Sequence, residues 1–238
     1  MTFGSHKQKT FFLSSVLILS ISFFQCKPEE KSDDSAALLL LGAGGIVPST
    51  NTTGTITTPQ NTNLRVFVTA ATYNGNLGGI NGADTKCAND ANKPTSGTFK
   101  AFITGDSGPD GVRYACLNDA VNCPTNPVGG TKNWVLQANK SYYRIDQSTV
   151  VYTTNANGFV STIPNQLQAG AADYWTGFVP GDATDWSRLE FGNCEEWTSD
   201  NAISEGTKAS ATGTTIVNIK GNLFISCDQF KSLLCVEQ

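Results

Sequence analysis

The sequence predicts an α+β fold: a single loop-rich domain, with more strand than helix, that is braced by disulfide bonds. Charged residues make up only 15% of the 238 residues, against roughly 25% in an average soluble domain. Gly, Thr and Asn, which favour turns and strands, take their place. After residue 64, short apolar runs alternate with Gly- and Asn-rich loops, and six of the seven cysteines lie there as well.

The first 25 residues have the pattern of a secretory signal peptide. Lys7 and Lys9 precede an apolar run over 11–25 that is too short, and too interrupted by serine, to favour a transmembrane helix. Cys26 follows directly and resembles the acylated lipobox cysteine of bacterial lipoproteins, in the looser form of spirochaetes. We therefore expect a lipoprotein signal peptide over 1–25 and lipidation of Cys26. The alternative is an ordinary cleaved signal peptide with Cys26 nearby.

Residues 26–63 predict a lipidated, disordered tether. A mixed-charge run over 27–34 and a threonine-rich run over 49–63 lack the apolar residues that folding requires. The apolar run over 36–47 is too short to span a bilayer. It is interpreted either as a short helix on the membrane surface or as a further part of the tether. A fully flexible tether would reach about 30–35 Å, enough to hold a globular domain clear of a membrane surface.

Residues 64–238 predict one domain with few helices. A helix is expected over 82–92, with Asn81 as its cap, because small or apolar residues around Cys87 recur at a spacing of four. Runs rich in β-branched and aromatic residues predict the strands. These predicted strands are 64–68, 98–103, 133–138, 149–153, 174–178, 215–219, 222–227 and 232–236.

Six cysteines in an oxidising compartment favour structural disulfides, and the odd seventh agrees with acylation of Cys26. Six cysteines allow fifteen pairings, which spacing alone does not resolve. Cys116 and Cys123 are close enough to join a local loop, and a Cys87–Cys235 bond would tie the start of the domain to its end. The sequence has no C-x-x-C motif, so a thiolate metal site or a redox pair has no support.

Composition excludes several classes of function. The sole histidine, His6, lies in the predicted signal peptide, so the mature chain has no imidazole for catalysis or for metal binding. The formal net charge is −4, which disfavours nucleic acids and heparin-like polyanions as partners. We therefore expect no enzyme activity, no catalytic residue, no cofactor and no metal.

Two acidic loops were considered as calcium sites. One contains Asp106, Asp110 and Gly111, and the other contains Asp182 and Asp185. Calcium prefers clustered carboxylate and carbonyl oxygens, but neither loop has EF-hand spacing. Asp-Gly is first of all a turn signal, so turns are the expected role.

Two further groups were weighed as sites. Glu195 and Glu196 resemble paired catalytic carboxylates, but as adjacent strand residues they would point to opposite faces. Trp186, in the polar loop 180–190, is the one tryptophan expected to be exposed and is therefore the candidate ligand contact. The other tryptophans, expected in the core, are Trp134, Trp175 and Trp197.

Several segments together resemble the collagen-derived endostatin domain, a variant of the C-type lectin-like fold. The resemblance extends over nearly all of the predicted domain. The segments are GINGADTKC (79–87), GTFKAF (97–102), NCEEWT (193–198), SCD (226–228) and LCVE (234–237), and YWTGF (174–178) is similar to the Trp-x-Gly strand of the wider fold.

A closer resemblance is to the leptospiral endostatin-like surface lipoproteins, through segments 67–69, 75–80, 142–144 and 153–158. This resemblance implies nested disulfides Cys87–Cys235 and Cys194–Cys227, with Cys116–Cys123 as an additional bridge. The zinc-binding histidines and the clustered heparin-binding arginines of animal endostatin are missing here, and so are the calcium motifs of the lectins.

The resemblance implies a lipid-anchored, adhesin-like binding protein of the outer membrane, with its domain at the cell surface. The implied partners are host extracellular-matrix proteins, such as laminin and fibronectin, and plasma proteins, such as factor H-type complement regulators and plasminogen. The alternatives are a glycan-binding lectin-like module and a periplasm-facing envelope protein without a host ligand. The sequence leaves the oligomeric state open.

Overall fold

A computed structural model describes residues 63–105, 111–115, 131–189 and 191–238. The predicted signal peptide, Cys26 and the predicted tether up to residue 62 lie outside the described residues. So do Cys116 and Cys123, with the bridge expected between them, and the acidic-loop residues Asp106 and Asp110.

The described residues form a mixed α+β structure that is dominated by a sheet, so the predicted α+β class is confirmed. In chain order the elements are β1 (Leu64–Val68), α1 (Gly79–Asn89), β2 (Phe99–Ala101), β3 (Ser141–Tyr143), β4 (Val150–Thr154), β5 (Val160–Thr162), β6 (Asp173–Trp175), α2 (Cys194–Trp197), β7 (Glu205–Ser210), α3 (Ile216–Lys220), β8 (Leu223–Ser226) and β9 (Ser232–Glu237).

The last strand, β9, lies in the middle of the sheet. The strand order is β5-β4-β3-β1-β9-β6-β7-β8, and β2 pairs with β9 as well. Strands β1 and β9 are antiparallel, with Phe67 opposite Cys235, so the first and last strands of the described residues are neighbours. Arg65 of β1 also donates from Nε to Oε2 of Glu237 in β9 at 2.7 Å.

Alternate residues of the central strands enter two different cores. Val66 of β1 and Leu234 of β9 belong to one apolar cluster, and Phe67 and Cys235 belong to the other. Because successive strand residues point to opposite faces, the sheet has a core on each side. This explains why β9 is apolar along most of its length, a pattern typical of strands buried on both faces.

Two disulfide bonds lie in the described part of the chain, and they are the pairs that the resemblance implies. Cys87–Cys235 joins α1 to β9 across 148 residues, and Cys194–Cys227 joins α2 to the end of β8 across 33 residues. All four cysteines are buried in the same apolar cluster. The sulfur atoms therefore fix α1 and α2 against one face of the sheet.

Some predicted elements are wrong. Residues 215–219 were expected as a strand but begin helix α3, because the Thr215 side chain accepts a hydrogen bond from the backbone N–H of Asn218 and caps the helix. Residues 133–138 form bends and the start of a turn, and positive φ angles at Asn133 and Asn139 end extended structure on both sides. Helix α1 begins at Gly79 after Gly78 in the left-handed conformation, three residues before the predicted start. Strands β3, β5 and β7 were not predicted.

We expect the longer disulfide to contribute more stability than the shorter one. In the chain-entropy model, loops of these lengths are worth about 5 and about 4 kcal/mol. The double variant Cys87→Ala/Cys235→Ala should therefore lose more unfolding free energy than Cys194→Ala/Cys227→Ala, measured by guanidinium denaturation without reductant. A smaller loss for the first pair would contradict the assignment of the main brace to α1 and β9.

Candidate functional site

The short helix α2 is a left-handed turn. All four of its residues, Cys194–Trp197, have positive φ angles between 50° and 64°. For L-residues this conformation costs roughly 1–2 kcal/mol each, so its surroundings must enforce it. The disulfide to Cys227 holds its start, and Trp197 is fully buried and donates from Nε1 to the Thr104 carbonyl at 2.7 Å.

The carboxylates of Glu195 and Glu196 in this turn accept hydrogen bonds from different residues. Glu196 Oε1 accepts a hydrogen bond from Asn193 Nδ2 at 2.7 Å, whereas Glu195 Oε1 accepts one from the Ser204 hydroxyl at 2.6 Å. The strand expected at these residues is wrong, because the disulfide and the buried tryptophan impose the helical turn.

Glu195 lines a cleft whose walls carry exposed apolar side chains. The cleft has a volume of about 270 Å³. Phe191 is 84% exposed and Ile203 is 87% exposed, values that are costly for such large apolar groups. We call this site the acidic cleft, and its lining residues are Phe191, Glu195, Ile203, Ser204 and Glu205.

The charge around the acidic cleft is negative. Glu195 and Glu205 are both exposed, and within the described residues neither forms an ion pair. The segment 191–207 has no lysine or arginine, and its carboxylates are Glu195, Glu196, Asp200 and Glu205. Exposed carboxylates such as Glu195 and Glu205 produce a local negative potential that attracts cationic groups.

The acidic cleft continues into the edge of the sheet. Its residue Glu205 lies in β7 opposite Ser226 of β8, and β8 is the last strand in the order. Leu223 and Phe224 of β8 are 55% and 45% exposed. Of the six large apolar side chains exposed in the described residues, five lie within 191–230: Phe191, Ile203, Leu223, Phe224 and Phe230.

Of the cleft residues, the sequence singles out only Glu195, as half of a possible carboxylate pair. Phe191 and Ile203 are single apolar residues in polar surroundings, so neither period 2 nor period 3.6 marks them. The local absence of basic residues over 191–207 was the one available signal.

The expectation that Trp186 is exposed is wrong. Trp186 is 2% exposed, its ring stacks on Phe159 at 5.4 Å between centroids, and it meets Phe178 edge-on. The cause is the fold of its loop, since Gly181 N–H donates to the Gly221 carbonyl after α3 and brings the polar loop back over the core. Trp186 is therefore a core residue, not a ligand contact.

A buried lysine fastens the same loop. Lys220 is 0% exposed; its Nζ donates to the carbonyls of Val179 and Asp185 and lies 5.8 Å from the centroid of the Phe178 ring. Burial lowers the pKa of Lys220 to about 8, and the nearby charges of Asp185 and Asp182 oppose this shift.

The carboxylates of this loop stabilise turns. Asp182 Oδ1 accepts from Thr184 N–H at 2.7 Å, and Asp185 Oδ1 accepts from Ser187 N–H at 2.8 Å, as in Asx turns. Across the described ranges, no three His, Cys, Asp or Glu side chains are grouped so that they could hold a metal ion.

The fold and the site define a small, sheet-dominated α+β domain with an exposed apolar cleft and, in its described residues, two disulfides. The family model described as "Protein of unknown function (DUF1554)" matches residues 70–214, and the chain belongs to this family. No curated protein matches the chain. Every helix in the described part of the chain falls short of the length and apolar character needed to cross a membrane.

We expect Lys220 to make stability rise with pH. The unfolded lysine keeps its proton up to about pH 10.4, whereas the folded one loses it above its pKa of about 8. The unfolded state therefore binds more protons above pH 8, and stability rises there at up to about 1.4 kcal/mol per pH unit.

The comparison variant is Lys220→Met, which keeps most of the volume and removes the titrating group. Urea denaturation between about pH 8 and pH 10 measures the effect, below the range in which tyrosines ionise in the unfolded state. Parallel stability curves for the two proteins would show that Lys220 does not titrate in this range.

Proposed function

We propose that the protein is a lipid-anchored, adhesin-like surface protein that binds host extracellular-matrix or plasma proteins. The proposed partners are laminin, fibronectin, factor H-type complement regulators and plasminogen. The observation that carries this proposal is the pair of exposed apolar side chains that line the acidic cleft, Phe191 and Ile203, both more than four-fifths exposed. Apolar patches with a polar rim are typical of protein-binding surfaces.

The framework beneath the surface supports a binding role. Cys194, which precedes Glu195 of the acidic cleft, is buried and bonded to the buried Cys227. The Ser204 carbonyl in the cleft wall accepts a hydrogen bond from Cys227 N–H at 2.9 Å. A surface that is fixed before binding loses little conformational entropy when a partner docks.

We propose further that the domain is the endostatin-like variant of the C-type lectin-like fold. In support, the disulfide pairs are those that the resemblance implies. The landmark segments also fall on packed elements: GINGADTKC forms most of α1, and CEEW forms α2. The buried Trp186 removes the side chain on which the glycan-binding alternative depended.

The anchor is tested by replacing the predicted lipidated residue. We expect the wild-type chain to partition into the detergent phase of a Triton X-114 extract, because two acyl chains give stable membrane attachment. Cys26→Ser should move it to the aqueous phase. Protease treatment of intact cells tests the orientation: digestion supports the cell surface, and protection supports the periplasm-facing alternative.

The binding function is tested with the detergent-solubilised full chain against immobilised laminin, fibronectin, factor H and plasminogen. We expect saturable binding to at least one of them with a Kd of about 1 µM or tighter, lost after reduction of the disulfides. Serum albumin is the control surface. If the chain binds none of the four proteins at about 10 µM, the proposal is refuted.

A further inference from the structure

We propose that the acidic cleft is the docking site for a polypeptide segment of the partner that presents an apolar side chain flanked by lysine or arginine. This inference rests on the proposed function and specifies its surface and the chemistry of its ligand. Two features of the cleft define that chemistry: its apolar walls and its unpaired carboxylates.

The apolar part of the ligand is set by Phe191 and Ile203. These side chains are 84% and 87% exposed and line a cleft of about 270 Å³. A cavity of about 150 Å³ already holds a benzene ring, so this cleft has room for one aromatic or long aliphatic side chain. Docking such a group removes both exposed surfaces from water, which favours binding.

The charge of the ligand is set by Glu195 and Glu205. Both carboxylates are exposed at the cleft, and Glu195 uses Oε1 to accept from the Ser204 hydroxyl. A carboxylate can accept several hydrogen bonds, so Glu195 keeps capacity for a lysine or a bidentate arginine. No lysine or arginine lies within 191–207, and among the described residues neither carboxylate forms an ion pair that a basic ligand would have to displace.

The positions of the two carboxylates are fixed by different elements. Glu195 lies in the left-handed turn that the Cys194–Cys227 disulfide holds, and Glu205 lies in β7, paired with Ser226. Both elements meet the end of β8, so the spacing between the carboxylates does not depend on a free loop. A cleft preorganised in this way selects ligands by the spacing of their charges.

A second copy of the chain is the competing occupant. The chain carries its own exposed apolar residue next to a base, since Phe230 is 61% exposed and precedes Lys231. Sedimentation velocity of the full chain distinguishes the two. If the wild-type chain forms dimers that both Ile203→Lys and Phe230→Ser abolish, the cleft binds a second copy and the partner assignment is overturned. If the wild-type chain is a monomer, the partner assignment is supported.

The direct test is fluorescence anisotropy with a labelled peptide, GSKFKLKGS, and the detergent-solubilised full chain. We expect Ile203→Lys, and separately Glu195→Gln/Glu205→Gln, to weaken peptide binding about tenfold or more. The matched control is Ile145→Lys, because Ile145 is also an exposed isoleucine, at 53%, but lies outside the cleft; it should change affinity less than about twofold.

Two further measurements separate charge from apolar contact. The acidic peptide GSEFELEGS should not bind, and raising NaCl from about 50 to about 500 mM should weaken binding of the basic peptide, because exposed charges are screened. Equal binding of the two peptides, or cleft variants that bind like wild type, would overturn the inference. Retained disulfides and melting temperatures show that the variants fold.

The outcomes also separate this inference from the proposed function. If the wild-type chain binds a host protein and Ile203→Lys binds it equally well, the function stands and the docking site is wrong. If no host protein binds but the basic peptide does so through the cleft, the site stands and the host class is wrong.

Discussion

The structure depends on one strand, β9, being buried on both faces. Its residues enter two apolar clusters alternately, Leu234 into one and Cys235 into the other. It pairs with β1, β2 and β6, so three separate parts of the chain are aligned on the last strand. Because such a strand forms only when these partners are present, the domain has no independent half, and both clusters assemble together.

The disulfides let the rest of the domain be rich in loops. Cys87–Cys235 ties α1 to β9, and Cys194–Cys227 enforces a left-handed turn that four L-residues would not adopt unaided. The buried disulfides thus stabilise segments that lack long helices or strands. Lys220 stabilises the loop over Trp186 in a similar way, by donating hydrogen bonds to two of its carbonyls. The exposed side chains of the acidic cleft are not needed for packing, so they are free to contact other molecules.

Sequence patterns predict the central strands better than the surface. Strands β1 and β9 are mostly apolar, so composition marks them. The run 215–219 is richer in β-branched residues than either strand but becomes α3, because Thr215 caps it and Gly221 ends it. Exposure is harder to predict: Trp186, expected at the surface, is buried by a loop that returns over the core, and no local pattern marks Ile203 as exposed. Both outcomes depend on contacts between distant segments, which a local pattern does not contain.

The nested disulfides also define how the domain carries mechanical load. A pull on the N-terminal side of β1 can extend only about 24 residues, from Asn63 to Cys87, before tension crosses to Cys235. From there about eight residues lead to Cys227, and the second bond passes the force to Cys194 beside the cleft. At about 3.5 Å per residue, the slack before the first bond is limited to roughly 80 Å. If the chain is tethered at its N-terminus and held at the cleft, β1 and most of β9 lie on the shortest covalent load path, whereas β2 to β8 lie outside it.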